Sequence, residues 1–410
     1  MGVRKNRRYG VLFAAMAVQL CTGIIYMWSV FQNYLVSSGV FSEQKAGEVA
    51  FIASVMLAMF VVGIVGGGRL SDKIGAKKVV FAGSVLFAAG LFLSSFLLTS
   101  QPWTLYLSYG VIGGIGVGAA YNSSIACAQK WFPEKRGFAS GMVVCAFGFS
   151  IVIFSPLATQ LLNALGASTT FRILAGAFLV ICLTASLFIK EPEPGYAPEG
   201  YTPPAASSVQ QQGFTTGQML KTPQFYFLTM AMMFLTPAYF ILNPLFITLG
   251  LVKGLSSELA TVVVMLTGIA SSAGRLLAPW ISDKIGRKGT IVALNIITLA
   301  CMVLMIFTQG IAYIVLIALI ACAYGGSSGV FPPYCSDMYG TKHAGANYGC
   351  VMVGFGISAV LFPFLAASVN TSGALKGDYT LSFLIAAAAS VISIICTLLI
   401  QAKKLKNPTA

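Results

Sequence analysis

The chain has 410 residues, of which 57% are hydrophobic and only 9% are charged. Soluble domains carry about 25% charged residues, so this composition excludes an ordinary soluble protein. The formal net charge of +14 would indicate nucleic-acid binding only if the basic residues formed a polar surface, whereas they lie in short segments between apolar runs.

Apolar segments of about 20 residues recur along the chain, each long enough to cross about 30 Å of hydrocarbon as a helix. They lack the apolar–polar alternation of a membrane barrel. We therefore predict an all-α membrane protein with twelve transmembrane helices. The predicted spans are 10–32, 47–68, 79–99, 104–128, 138–161, 170–189, 224–249, 258–281, 289–308, 311–334, 345–369 and 380–401.

Basic residues divide unequally between the two sides of the predicted membrane. If the N-terminus is cytoplasmic, twenty of the 25 Lys and Arg residues lie in cytoplasmic segments, four lie outside, and Arg275 lies within a span. This asymmetry follows the positive-inside rule and predicts a plasma (inner) membrane protein with both termini in the cytoplasm. The first apolar run is too long for a signal peptide, so we predict an uncleaved first span.

A linker and a repeat divide the chain. Residues 190–213 are rich in proline, glycine, serine and glutamine, which is linker composition. The segment SDKIGAKK at 71–78 recurs as SDKIGRKG at 282–289, each between the second and third spans of its half. The repeat predicts two pseudo-symmetric six-helix bundles, 1–189 and 222–410, joined by a cytoplasmic linker at 190–221.

Several motifs resemble those of one transporter family. GRLSDKIGAKK at 68–78 is similar to the loop signature of the major facilitator superfamily, and WFPEKRGFASG (131–141), MLKTPQF (219–225), YGGSSGVFP (324–332) and NYG (347–349) narrow the resemblance to the oxalate/formate antiporter family, which includes bacterial lactate and pyruvate carriers. The resemblance implies the major facilitator fold and alternating-access transport of small organic anions. Charged loop residues are expected to pair with helix ends and close one gate. They are Asp72, Lys73, Asp283, Lys284 and Arg136.

Arg275 is predicted to lie near the membrane centre, because it precedes Asp283, at the end of its span, by eight residues, or about 12 Å. The equivalent position in the first half is Ile64, so the charge belongs to one half only. A central arginine costs at least about 2.5–3.5 kcal/mol, and all eleven acids fall in loops or at span ends. We therefore predict that Arg275 binds a substrate carboxylate through two parallel hydrogen bonds. The alternative is an arginine satisfied by backbone carbonyls, water and aromatic faces.

Polar and aromatic side chains within the spans are the further candidates for this site. A buried tyrosine usually needs a hydrogen-bond partner, and Ser271 lies one turn before Arg275. The resemblance implies that Tyr26, Trp28, Tyr121 and Tyr324 line the central cavity. The candidate substrate-binding residues are Arg275, Ser271, Tyr26, Trp28, Tyr121, Asn122, Tyr324, Phe147 and Phe355.

Two positions bear on the substrate. By the resemblance, Phe355 stands where an oxalate-exchanging relative has a lysine, and Phe147 where a tyrosine is expected. Two cations suit a dianion, whereas one cation beside an apolar wall suits a monoanion with a small organic tail. We expect a short monocarboxylate such as lactate or pyruvate, carried by proton symport or anion exchange. An oxalate/formate-type exchanger, a neutral-solute or drug carrier and a non-transporting membrane sensor are the alternatives.

Other features indicate no further chemistry. No nucleophile–base pair, metal cluster or phosphate loop is found within the spans, so we expect neither an enzyme nor a bound cofactor or metal. We interpret the nine cysteines as packing residues and His343 as a solvated loop residue. Glu258, at the outer start of the eighth span, is the candidate for proton coupling. We expect a monomer in the lipid bilayer whose partners are a small carboxylate anion and, if transport is coupled, a proton.

Overall fold

The computed structural model of the protein describes residues 2–98, 101–193, 196–198, 201, 213–370 and 379–401. This part of the chain is almost entirely helical and contains no strand. The helices are α1 Gly2–Thr22, α2 Trp28–Ser37, α3 Ala46–Ile74, α4 Ala76–Ser94, α5 Trp103–Leu105, α6 Gly114–Trp131, α7 Arg136–Phe188, α8 Thr216–Leu220, α9 Pro223–Leu235, α10 Pro237–Leu242, α11 Phe246–Val252, α12 Ser257–Ile285, α13 Arg287–Phe307, α14 Ile311–Tyr339, α15 Ala344–Asn370 and α16 Thr380–Leu399. Short 3-10 segments occupy Gly23–Met27, Glu43–Lys45 and Asn243–Leu245, and Tyr106–Gly113 is π-helical.

Within the described residues, eleven helical segments are long and apolar enough to cross a membrane. One of them, α7, is 53 residues long, about twice a single crossing, and Gly166 inside it has a non-helical φ of 75° and ψ of 170°. Glycine adopts a positive φ without steric cost, so the chain ends its fifth crossing and begins its sixth there. The eleven segments therefore supply the twelve predicted crossings of a multi-pass membrane protein.

The outer surface suits a bilayer. Large apolar side chains are exposed over it, including Phe307 (80%) and Phe364 (70%). A water-soluble protein rarely exposes such a continuous apolar surface, whereas lipid tails solvate it.

Three spans that were predicted as continuous are interrupted. The first consists of α1, the 3-10 segment Gly23–Met27 and α2, and the fourth begins with the π-helical turn Tyr106–Gly113. The seventh is divided between α9, α10 and α11, with Pro237 at the first joint, where proline cannot donate a helical hydrogen bond. Transporters commonly build their ligand sites at interrupted helices.

The two halves of the chain meet along two helix pairs, α3 against α15 and α7 against α12. Small residues allow these backbones to touch. A Cβ on Gly68 of α3 would overlap the carbonyl oxygen of Gly345 on α15, and a Cβ on Gly137 of α7 would overlap that of Pro279 on α12. The interface is therefore tight at the end of the molecule that the basic residues predict to be cytoplasmic.

The predicted linker is only partly within the described residues, because 194–195, 199–200 and 202–212 lie outside them. At its start, the Glu191 carboxylate pairs with Lys130 at 3.1 Å and accepts a hydrogen bond from the Ala76 amide at 3.4 Å. The beginning of this segment is thus held against the first half of the chain.

Candidate functional site

Arg275 lies on α12 and is 4% exposed. Its Nη2 donates to the Tyr26 hydroxyl at 3.4 Å, and its Cζ lies 5.4 Å from the ring centre of Tyr26 and 5.9 Å from that of Tyr324. Among the residues that the structure describes, no carboxylate pairs with the guanidinium, and its Nε is buried without a hydrogen-bond partner. The two tyrosine rings are contacts of the kind expected if Arg275 were satisfied by the protein itself. They leave the Nε of the guanidinium without a hydrogen bond.

Helix α7 makes room for this guanidinium at Gly148. A Cβ on Gly148 would overlap Nη1 of Arg275 and would lie 3.0 Å from its Cζ and 2.8 Å from Oγ of Ser272. The guanidinium therefore lies directly against the backbone of the first half, although the second half carries it. Arg275 thus bridges the interface between the halves.

A very small cavity lies beside Arg275, with a volume of about 10 Å³, which is room for about one water molecule. Both halves of the chain contribute to its wall, so the cavity sits between them. Its lining residues are Tyr26, Phe60, Tyr121 and Phe147 from the first half and Met232, Arg275, Ser328, Tyr348, Met352 and Phe355 from the second. The wall is mostly apolar and aromatic and has one charged side chain.

Aromatic contacts fix the shape of the wall. Phe147 meets Tyr26 edge to face with ring centres 5.5 Å apart, and meets Tyr121 at 4.9 Å. Behind Arg275, Tyr324 stacks on Tyr239 with ring centres 4.0 Å apart and an interplanar angle of 4°. Such ring pairs contribute about 0.5–1.5 kcal/mol each beyond the area that they bury, so the rings stabilise one another around the cavity.

Among the described residues, several buried polar atoms at or near the cavity have no hydrogen-bond partner. They are Arg275 Nε, Ser271 Oγ and the Tyr348 hydroxyl, whereas the Tyr324 hydroxyl lies beside that of Tyr26. Leaving one such group unsatisfied costs about 1–3 kcal/mol, and native proteins keep few of them. Other buried atoms of the described residues, such as the Tyr109 hydroxyl, also lack a partner, so it is the position of these atoms beside a cation and a cavity that favours a site for a polar ligand.

Two predicted binding residues lie away from the cavity wall. Nε1 of Trp28 donates to the carbonyl oxygen of Val49 at 2.8 Å. Nδ2 of Asn122 donates to the carbonyl oxygens of Ile64 at 3.0 Å and Gly345 at 2.7 Å. Backbone carbonyls therefore satisfy both donors, and Asn122 links the two halves.

Among the other predicted residues, Tyr26, Tyr121, Phe147, Arg275 and Phe355 line the cavity. The ring of Tyr324 lies beside the Arg275 guanidinium, with its centre 5.9 Å from Cζ. Ser271 precedes Arg275 by one turn of α12. The backbone of Glu258 begins α12, but its side chain lies outside the described residues.

Sequence reasoning missed five lining residues. Tyr348 is the middle residue of the NYG motif and a tyrosine within a span, so the criterion applied to the other tyrosines could have found it. The others carry no signal that separates them from ordinary core packing. They are Phe60, Met232, Ser328 and Met352.

The repeated acids, Asp72 and Asp283, lie in the last turns of α3 and α12 rather than in loops, because each helix extends to a single-glycine turn. Gly75 and Gly286 supply these turns with φ of 90° and 92°. A carboxylate of Asp72 accepts from the Ala346 amide at 2.8 Å. The carboxylate of Asp283 accepts from the amides of Gly137 at 3.0 Å and Phe138 at 2.8 Å. Each repeated acid therefore caps a helix of the opposite half, where the positive helix N-terminus attracts it.

Further polar contacts join the halves beside these caps. Arg136 at the start of α7 pairs with Asp337 of α14 at 2.8 Å, and Asp337 also pairs with Arg287 at 2.9 Å. The side chain of Gln129 accepts a hydrogen bond from Ser336 at 2.5 Å. The predicted gate residue Arg136 therefore bridges the halves.

The two lysines of the predicted gate are placed differently. Lys73 is exposed, and Nζ of Lys284 lies 4.0 Å from the ring centre of Trp280 on its own helix. His343 lies in the turn between α14 and α15, where burial and the nearby Lys342 and Lys130 lower its pKa below the usual value. The imidazole is therefore neutral near neutral pH.

Comparison with known proteins relates this chain to one superfamily of membrane transporters. The sequence profile of the Major Facilitator Superfamily matches residues 9–363. The oxalate:formate antiporter of Oxalobacter formigenes is 26% identical over 396 residues, which cover 96% of this chain and 91% of that protein. Monocarboxylate transporter 13 of Rattus norvegicus is 26% identical over 384 residues, which cover 92% and 85%. The solved structure of the proton:xylose symporter XylE superposes with a TM-score of 0.74 at 17% identity over 97% of each chain, which shows the shared fold alone.

Proposed function

The chain belongs to the major facilitator superfamily and is a membrane transporter, and on that premise we propose that it carries small organic anions, above all short monocarboxylates of the lactate and pyruvate type. The observation that carries this proposal is Arg275, a buried cation with an unsatisfied Nε beside a cavity between the halves. A permanently charged guanidinium whose described contacts are with two tyrosines favours an anion beside it.

The rest of the wall supports a monoanion over a dianion. Among the described residues that line the cavity, Arg275 is the only charged one. Phe355 stands at the position where, by the resemblance, an oxalate-exchanging relative has a lysine. One cation neutralises one carboxylate, whereas a dianion would bring an uncompensated charge into an apolar wall. Phe147, Phe355 and Met232 suit a small organic tail.

In the proposed binding step, the substrate carboxylate accepts two parallel hydrogen bonds from Arg275. We expect Tyr324 to donate a further one, because its ring centre lies 5.9 Å from Cζ of Arg275 and its hydroxyl lies beside that of Tyr26. Binding neutralises a charge that lies at the interface between the halves, so movement of the halves is easier with the site loaded. Anion exchange keeps the site loaded in both directions of movement, whereas net proton symport also needs the empty site to return, so the two proposed modes differ in that step.

Alternating access then has two proposed bundles, 1–189 and 222–410, rocking around this site. The contacts of Asp72, Asp283 and Arg136 close the face that the basic loops predict to be cytoplasmic, and they would have to break for the site to open there. The charge distribution supports a plasma (inner) membrane orientation with both termini on that side.

Uptake into proteoliposomes tests the proposal. The purified chain is expected to take up lactate and pyruvate and to exchange them across the membrane, whereas Arg275→Lys should lose at least about tenfold in rate, because it keeps the charge but loses the planar two-bond geometry. Arg172, whose Cζ lies 4.5 Å from the ring centre of Phe96 and which does not line the cavity, gives the matched control Arg172→Lys. Unimpaired uptake by Arg275→Lys, or uptake of sugars alone by the parent, would contradict the proposal.

A further inference from the structure

Tyr348 carries a buried hydroxyl that carboxylate binding at Arg275 leaves unused. The residue lies on α15, lines the cavity and is 2% exposed. Its hydroxyl has no hydrogen-bond partner among the described residues. Because buried hydroxyls are normally satisfied, a donor that faces a cavity in this state indicates a ligand atom opposite it.

Tyr348 and Arg275 reach the cavity from different helices, α15 and α12. The guanidinium contacts Tyr26 and Tyr324, and among the described residues no hydrogen bond or ring contact joins it to Tyr348. A ligand whose carboxylate is bound at Arg275 therefore leaves the Tyr348 hydroxyl free for a second ligand oxygen.

The wall around Tyr348 is otherwise apolar. Met352 and Phe355 follow it on the same face of α15, at spacings of four and seven residues, and both line the cavity. Ser328, the other hydroxyl in the second half's part of the wall, donates to the carbonyl oxygen of Tyr324 at 3.2 Å. Tyr348 is thus the unengaged donor on this side of the cavity.

We propose that Tyr348 is a specificity-determining residue, whose hydroxyl binds an oxo or hydroxy oxygen that the substrate carries in addition to its carboxylate. The inference rests on the proposed function and narrows the substrate class to hydroxy- and oxo-monocarboxylates. A site built to hydrogen-bond a substrate oxygen discriminates against the analogue that lacks it, because the buried donor is then left unsatisfied. Unsubstituted acids of the same length are therefore poor ligands.

Calorimetric titration of the purified full-length protein in detergent tests this inference with three-carbon acids. Lactate and pyruvate carry an oxygen on the second carbon, and propionate does not. The parent is expected to bind lactate and pyruvate about tenfold more tightly than propionate, which is the fold-change of one hydrogen bond. Tyr348→Phe should weaken the first two about tenfold and leave propionate unchanged within about twofold.

Tyr109 supplies a matched control. Its hydroxyl is also buried and has no hydrogen-bond partner within the described part of the chain. The Tyr109 ring packs against Trp28 with ring centres 4.6 Å apart and does not line the cavity. Tyr109→Phe should therefore leave the affinities for all three acids unchanged. Retained propionate binding by Tyr348→Phe would also report that the variant folds with an intact site.

The outcomes separate this inference from the proposed function. Equal weakening of all three acids by Tyr348→Phe, or unchanged lactate and pyruvate binding, overturns the role of Tyr348 alone, provided that Arg275→Ala abolishes binding of every acid. If no monocarboxylate binds the parent, or if Arg275→Ala binds them all as the parent does, the proposed function fails and this inference fails with it.

Discussion

At the scale of single residues, the site depends on a pair that no local pattern connects. Arg275 lies on α12 and Gly148 on α7. The Arg275 guanidinium occupies the space that a side chain at position 148 would fill. Because the arginine already lies against the opposite backbone, its position is defined before a ligand arrives. A preformed cation binds an anion without a further cost of ordering its side chain.

We expect Gly148→Ala to act through Arg275. The added methyl overlaps Nη1, so the guanidinium must move away from α7, and the affinity for the carboxylate should fall at least about tenfold. The measurement is a calorimetric lactate titration. Gly176→Ala, on the same helix and with nothing within 4 Å of the added Cβ, is the control and should bind as the parent does. Equal affinities in all three proteins would show that the approach at Gly148 does not position Arg275.

His343 should have no part in any pH dependence of transport near neutrality. Its lowered pKa means that it gains a proton only when the pH falls below the ordinary histidine value of about 6.5. Above that value it is neutral, so His343→Ala should leave the pH profile of uptake unchanged there. Loss of the profile in this variant would identify His343 as a proton-carrying group after all.

The sequence could predict Arg275 because a charge within an apolar segment stands out whatever surrounds it. Trp28 and Asn122 looked equally suitable, yet both donate to backbone carbonyls, and a single sequence does not reveal which buried donors have such partners. Phe60 and Met352 line the cavity with side chains that are equally common in any core, so no signal distinguishes them.

At the scale of helices and turns, the repeated SDKIG segments hold the two halves together at one face. Asp72 and Asp283 stand at equivalent positions of the two halves, and each caps a helix that begins in the other half. Because each half caps a helix of the other, separation of the halves at this face removes both caps together. The contact is also sensitive to charge, because a carboxylate suits a helix N-terminus better than an amide does.

We therefore expect Asp72→Asn and Asp283→Asn to favour the conformation that is open at this face, each by about 1 kcal/mol. Distances between spin labels at Lys73 and Lys284, one on each half, would measure the shift, and the double variant should shift further than either single one. Glu191→Gln removes a comparable cap on Ala76 within the first half and should leave the distances unchanged. A shift as large in that control as in the aspartate variants would contradict the role of the reciprocal caps.

Hydropathy predicted where helices cross but not where they break. The first, fourth and seventh spans contain no charged residue. Their interruptions arise from tertiary packing, such as Gly23 against α7, and from prolines at the joints. Composition over about 20 residues reports transfer into lipid and is insensitive to a change from α-helical to 3-10 or π-helical bonding. Tyr26 lies in one of these interruptions. The sequence could therefore identify Tyr26 as a candidate but could not predict that it lies in a 3-10 segment.

At the scale of the whole molecule, the structure is closed at the face that carries the repeated acids, with the cavity enclosed between the halves. The twelve crossings could be predicted from apolar length, the two six-helix halves from the repeat, and the family fold from the resemblance of the loop motifs. The conformation could not, because the same residues must serve both ends of an alternating-access cycle. Closure depends on pairings such as Arg136 with Asp337, residues separated by 201 positions.

The central claim is that the anion missing beside Arg275 is the substrate carboxylate. Its most direct test is the thermal unfolding midpoint of the purified protein in detergent, measured with lactate, pyruvate, formate, acetate, oxalate and a neutral sugar, for the parent and for Arg275→Ala. A ligand at 100 times its Kd stabilises the folded state by about 2.7 kcal/mol, so lactate and pyruvate should raise the midpoint of the parent by several degrees and leave that of the variant unchanged. Stabilisation by oxalate alone would contradict the monocarboxylate assignment, and stabilisation by the sugar, or equal stabilisation of both proteins by the acids, would contradict the role of Arg275.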